Sequence, residues 1–162
     1  MDTLYTVVMS QLVIDGPAYQ TGVLCEPILR SLPEWFGIED ALAQYVADME
    51  RLPTFLAYDE GELLGFLTVK QHFDTTAELL VMGILPQAHR RGIGRALVVR
   101  AQAWLASQGV EYVQVKTLGP SHPDEGYAKT RAFYQALGFH PLEEFRQIWD
   151  EHNPCLIMIK KV

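Results

Sequence analysis

The chain predicts a layered α/β fold, a mixed sheet with helices on its faces, from three observations. Helix and strand periods follow one another in the order β-α-α-β-β-β-α-β-α-β-β; three consecutive apolar runs in the middle are short enough to form a strand meander; and the second half alternates helix with strand. Its 162 residues show no repeat, low-complexity run or Ser/Gly-rich linker, which predicts a single domain over residues 1–162.

Residues 4–9 (LYTVVM) read as the first strand. Gly16-Pro17 then opens a helical pattern through Leu24, Ile28, Leu29 and Leu32 that ends at Pro33. The period repeats from Ile38 to Leu52 through Leu42, Tyr45, Val46 and Met49, and Pro53 stops it. Residues 54–73 and 76–85 hold three strands, parted by the turn residues Asp59-Glu60-Gly61 and Asp74-Thr75-Thr76. A helix from Gly92 to Gln108 is stopped by Gly109, a strand runs from Glu111 to Thr117, and a helix from Glu125 to Leu137 is stopped by Gly138. Strands near Phe139–Phe145 and Cys155–Lys160 complete the order.

Composition narrows the function classes. Hydrophobic residues at 49% and charged residues at 20% exclude a disordered chain. Thirteen Lys and Arg against twenty Asp and Glu leave a net charge of −7, which repels nucleic acid and favours cationic or amine ligands. Cys25 and Cys155 stand far apart without a CxxC pair, so neither a zinc site nor a disulfide framework is expected. His72, His122, His140 and His152 form no i, i+4 pair and no HExxH pattern, and no metal is expected. The absence of a leader pattern and of an apolar run near the roughly 18 residues of a membrane span predicts a cytoplasmic protein without membrane partners.

The most informative stretch is residues 83–97, a strand running into a glycine turn that opens a helix. Gly92 and Gly94 fit neither the GxGxxG dinucleotide fingerprint nor a phosphate loop of GxxxxGK type. Helix-start N–H groups nevertheless point outward unpaired, and the helix dipole favours an anion there. Arg90, Arg91, Arg95 and Arg100 fall within eleven positions, making a local basic spot on an acidic chain. The same arginines also read as a solvated helix face around an ordinary tight turn. Gly83, inside an apolar strand, indicates a bulge or a close backbone approach.

At His89-Arg90-Arg91-Gly92-Ile93-Gly94 the chain resembles the GNAT superfamily of acyl-CoA-dependent N-acetyltransferases, whose signature is Gln/Arg-x-x-Gly-x-Gly/Ala between strand and helix. His stands in the first position. Residues 132–139, AFYQALGF, are similar to the family's later FYxxxGF motif, and the element order matches over nearly the whole chain. The resemblance implies a mostly antiparallel seven-stranded sheet with four helices, its fourth and fifth strands splayed. It implies acetyl-CoA as cosubstrate, with the pyrophosphate held by the main chain of His89, Arg90, Arg91, Gly92, Ile93, Gly94 and Arg95. The pantetheine arm would lie along Met82, Gly83 and Ile84, with the Ile84 N–H as a carbonyl polariser.

Two catalytic residues follow. The two-residue strand period puts Glu78 on one face with Leu80, Met82 and Ile84, where an apolar setting would raise its pKa toward that of a useful base. It stands eleven residues before His89, where the resemblance places a catalytic Glu; a strand-end Glu reaching solvent or a basic partner is the other reading. On the later helix Ala128, Ala132, Ala136, Phe133 and Leu137 form an apolar arc, and Tyr134 lies at its rim. The matching family Tyr binds the CoA sulfur and acts as general acid, which makes Tyr134 the expected acid; the other reading is a Tyr that merely packs. Tyr127 replaces an Asn that many relatives carry seven residues earlier.

Glu34, Trp35 and Phe36, between the first two helices, read either as an acceptor wall or as inter-helix packing. His122, in a polar loop after the fifth strand, reads either as a ligand contact or as surface. The expected acceptor is a primary amine on a small molecule or peptide, with direct transfer in a ternary complex. The alternative is an acyl-CoA-binding sensor or interaction module without turnover. By analogy with relatives, a homodimer through the late strands is a further expectation.

Overall fold

The computed structural model describes residues 11–162. Strand β1 (Leu12–Ala18) is followed by helices α1 (Gly22–Arg30) and α2 (Glu39–Asp48), then by the meander β2 (Thr54–Asp59), β3 (Glu62–Phe73) and β4 (Thr76–Ile84). A 3₁₀ turn at Pro86–Ala88 leads into α3 (Ile93–Ser107), β5 (Tyr112–Leu118), α4 (Glu125–Ala136), β6 (His140–Asp150) and β7 (Asn153–Lys161). The seven strands form one sheet in the order β1-β2-β3-β4-β5-β7-β6, all neighbours antiparallel except β4 and β5.

From the first helix onward element type and order agree with the sequence reading, but the start differs. The strand expected at residues 4–9 lies outside the described residues. Gly16-Pro17, expected to open a helix, sits inside β1, where the register against β2 shifts between Asp15 and Ala18. Gly16 has φ +132°, and a Cβ there would come within 2.8 Å of the Thr54 carbonyl, so the chain passes its neighbour too closely for a side chain. The first helix begins only at Gly22. The second ends at Asp48 rather than Leu52.

Hydrophobic clusters cover both faces of the sheet. On one, α3 lays Leu97, Val98, Ala101 and Leu105 against Phe55, Leu67, Val69 and Val113, and Tyr134, Phe139 and Met158 join them. On the other, Cys25, Ile28 and Leu29 of α1 and Leu42 of α2 meet Leu56, Phe66 and Val81. Each fully buried Leu or Phe contributes about 1.5–3 kcal/mol of transfer free energy.

The cysteines belong to this interior. Both are fully buried, and burial pushes each thiol up to about 11, Thr21 partly opposing this at Cys25 and Lys116 at Cys155. Native protein is therefore expected to leave both unreacted toward an aromatic disulfide reagent at pH 8, and unfolded protein to release two thiols. Rapid native labelling of either residue would contradict this packing.

Two details of the sheet position the site. Thr68 pairs with Val81 while Val69 pairs with Leu79, so Leu80 is an extra residue in β4, a β-bulge. β4 and β5 pair only from Thr76–Tyr112 to Leu79–Val115. Beyond that rung Leu80–Ile84 and Lys116–Leu118 part, which is the expected splay.

Candidate active site

The splay opens a cleft of about 510 Å³. Its walls are Leu79–Met82 of β4, Val115–Leu118 of β5, residues 33–38 between α1 and α2, and one face of α4; Trp149, Asp150 and Asn153 reach it from the β6–β7 turn. A volume of this size suits a small ligand or a single side chain. A smaller depression of about 320 Å³ beside Gln11, Val13, Glu60 and Gly61 lies at the β1 end of the sheet and gathers no catalytic group.

Tyr134 enters the cleft from α4, whose N-terminus Asp124 caps by accepting the Tyr127 N–H. It is not a rim residue but the buried residue of that helix; of the expected apolar arc, Phe133 and Leu137 pack against the core while Ala128, Ala132 and Ala136 are exposed. The large rings set the helix's rotation: Tyr134 packs edge-on between Phe133 and Phe139, with centroids 5.1 and 5.6 Å away. Among the described residues its hydroxyl has no hydrogen-bond partner. Burial pushes the phenol far above its ordinary value of 10.0, so it holds its proton at any physiological pH.

Glu78 is also buried, but its surroundings are not those expected. The bulge at Leu80 breaks the two-residue period, so Met82 and Ile84 pack on the α3 side while Glu78 faces the α1–α2 side. There its Oε1 accepts from Gln114 Nε2 at 2.9 Å and meets His72 Nε2 at 3.0 Å and Lys116 Nζ at 3.2 Å. The expected apolar setting is thus a polar network with a cation. Lys116 lines the cleft and Glu78 stands behind it. The hairpin register Lys70↔Glu78 and the parallel register Glu78↔Gln114 bring these partners together, and neither is visible before the strands are paired.

At the end of β4 the glycine turn leads into α3. Gly92 caps the helix in the left-handed region at φ +77°, with open space where a Cβ would project, and no side chain caps the helix start. The first-turn amides are therefore available to an anion. Gly94 has a second role: a Cβ there would lie 3.1 Å from Phe133 and 3.2 Å from Ile84, so its lack of a side chain lets α3 pack close. Gly83 likewise makes room for Phe66 and Ile28, a close approach rather than the bulge itself.

The basic spot is smaller than the sequence suggested. Arg90 and Arg95 are exposed beside the turn. Arg91 is paired with Asp59, and Arg100 donates to the Gly16 carbonyl at 2.8 Å while covering the Phe55 ring, which braces β1 instead of serving an anion. His89 Nε2 donates to the Ile84 carbonyl at 2.8 Å and its ring meets Trp35 edge-on, so it fastens the turn to the strand end. Glu34, Trp35, Phe36 and His122 all line the cleft. Tyr127, standing where an Asn was expected, reaches across from α4 to the Trp35 carbonyl at 3.4 Å. Residues the sequence reading missed are Lys116, Gln114, Thr117 and the β6–β7 turn.

Comparisons with known proteins bear on this split sheet beside an uncapped, glycine-opened helix. The model of the Acetyltransferase (GNAT) domain matches residues 50–141, and the chain belongs to that family. A mycothiol acetyltransferase from Beutenbergia cavernae is 36% identical over 90 residues, 54% of this chain and 28% of the relative. Mycothiol acetyltransferases from Thermomonospora curvata and Amycolatopsis mediterranei match at 33% identity, and the chain spans only 27% and 29% of their lengths. In fold, the chain is similar to the ribosomal-protein-S18-alanine N-acetyltransferase from Escherichia coli, with a TM-score of 0.74, 20% identity and 94% of each chain covered. An aminoglycoside 6'-N-acetyltransferase complexed with coenzyme A superposes with a TM-score of 0.72 at 21% identity, covering 92% of this chain and 96% of the other. Among the described residues no group of His, Cys, Asp or Glu could hold a metal ion, and no helix is long and apolar enough to cross a membrane.

Proposed function

We propose that the chain is an acetyl-CoA-dependent N-acetyltransferase acting on a primary amine of a small molecule or peptide. The observation that carries this reading is the splay of β4 from β5 beside the uncapped start of α3. The open Gly92 and the exposed Arg90 and Arg95 fit a diphosphate, and the unpaired edge at Leu80–Ile84 fits an extended amide-bearing arm. Acetyl-CoA supplies the acetyl group as a thioester.

The chain's own residues divide the remaining work. Tyr134, kept neutral by burial, holds a proton for the departing thiolate. Lys116, lining the cleft, disfavours a second positive charge near it and so favours the neutral, nucleophilic form of the amine. Glu78, behind Lys116, accepts the amine's proton through water rather than by direct contact. Trp35 and Phe36 wall the acceptor side, and Glu34 places a carboxylate there, which suits an amine.

Binding is tested by melting. Acetyl-CoA at about 100 times its Kd adds roughly 2.7 kcal/mol, and at about 2–4 °C per kcal/mol the Tm should rise by several degrees. The double substitution Arg90→Glu with Arg95→Glu should keep the ligand-free Tm and lose most of the rise. Absence of any shift with acetyl-CoA or CoA at millimolar concentration would remove the basis of the reading.

A further inference from the structure

We propose that the Thr117 hydroxyl is a binding group for the acyl-carrying arm of the cosubstrate, beside Tyr134; this rests on the acyl-CoA reading above. Among the described residues four side-chain polar atoms that are themselves closed off from solvent lack a hydrogen-bond partner: Asp59 Oδ1, Gln102 Nε2, Thr117 Oγ1 and His122 Nδ1. Asp59 keeps its other oxygen on Arg91, and Gln102 accepts from Lys160 through its own oxygen. His122 is only partly buried. Thr117 differs from all three. It is 3% exposed, and its hydroxyl, the single polar atom of the side chain, has neither donor nor acceptor.

Its place in the fold puts this unmet hydroxyl on a residue of the cleft wall. The register of β5 against β7 is unbroken from Tyr112 to Leu118, so Thr117 shares a face with Val113 and Val115, the face packed in one cluster with Tyr134. Gln114 and Lys116 point to the other face, toward Glu78. The last β4–β5 rung is Leu79↔Val115, so Thr117 stands two residues past the point where the strands part, in the cleft wall with Tyr134. A Val there would continue the apolar row of Val113 and Val115 at nearly the same volume and leave nothing unpaired. An arm of amides ending in a thioester offers both carbonyl acceptors and N–H donors, and a hydroxyl can meet either. The acceptor amine is assigned to the opposite side, where Lys116, Trp35 and Phe36 lie.

The test compares Thr117→Val and Thr117→Ser with wild type by calorimetric titration of acetyl-CoA, and by the ligand-free Tm. The valine variant should melt at the wild-type temperature or above and bind acetyl-CoA about three- to tenfold more weakly, the range of one neutral hydrogen bond. The acceptor KM should not move, and the serine variant should bind as wild type does. Unchanged acetyl-CoA affinity in the valine variant overturns the proposal, as does a weakening confined to the acceptor. A lowered ligand-free Tm in that variant overturns it too, because it would mean that the hydroxyl already has a structural partner. If wild type itself binds no acyl-CoA, the functional reading fails first and this assignment with it, an outcome distinguished by where the loss appears.

Discussion

Tyr134→Phe should lower kcat by about 10²-fold, the lower end of what a positioned general acid contributes, while leaving acetyl-CoA affinity and the ligand-free Tm close to wild type. The three readouts follow from one geometry. The ring supplies the packing against Phe133 and Phe139, so its loss would be costly, but the substitution keeps it. The hydroxyl has no partner among the described residues, so removing it breaks no internal hydrogen bond. Only the proton held in the cleft is lost, an effect of about 2.7 kcal/mol on the barrier at 1.36 kcal/mol per tenfold. A parallel fall in Tm and affinity would instead assign Tyr134 to packing.

The same residue has a pH signature. Burial raises its phenol above the unfolded value of 10.0, so its contribution to stability is complete below about pH 10 and is lost as pH rises toward the raised native value. The buried thiols, raised from 9.0 to about 11, act with the same sign. Wild type should therefore lose stability above about pH 9–10, and the difference from Tyr134→Phe in alkaline melting isolates the phenol.

Glu78→Gln should have the second large effect, with kcat lowered by about 10²-fold or more and stability lowered as well. The carboxylate oxygen that meets His72, Gln114 and Lys116 becomes part of a neutral amide, and Lys116 loses its counter-charge. Removing one partner of a fully buried pair costs about 3–5 kcal/mol. Lys116 and His72 are each nearly one-third open to water, so roughly 1–3 kcal/mol is expected here. The KM for acetyl-CoA should stay near wild type, because Glu78 faces away from the side occupied by Tyr134. A melting loss with kcat unchanged would make Glu78 a structural anchor of Lys116 and nothing more.

Periodicity and punctuation made most elements legible in the sequence. Gly109 and Gly138 do end their helices with positive φ, and the glycine turn does open α3 beside the splay. The sequence singles out Glu78 and Tyr134 as candidates, and the structure gives each different surroundings from those its local pattern predicts. A bulge adds one residue without changing composition, so the faces of Glu78 and Met82 could not be separated until Leu80 was seen to be unpaired. On α4 the apolar period predicts an arc of three alanines with Phe133 and Leu137. Phe133 and Leu137 do face the core, but small side chains bury little surface, and the rings turn the helix so that Tyr134 is buried and the alanines are exposed. Lys116, Gln114 and Thr117 carry no motif. Their placement arises from strand pairing and its interruption, which are long-range properties. Gly16-Pro17 failed as a helix start because a close approach to β2, invisible locally, decides its backbone.

The most direct test of the central claim is amine-dependent release of the CoA thiol from acetyl-CoA, measured on wild type over a panel of polyamines, aminoglycosides, lysine-bearing peptides and peptide N-termini, with mass analysis of the acceptor. At least one amine should release thiol in step with its own acetylation, and Tyr134→Phe should slow that release by about 10²-fold. Tight acetyl-CoA binding without release on any amine would contradict catalysis and favour an acyl-CoA-binding module built on the same cleft.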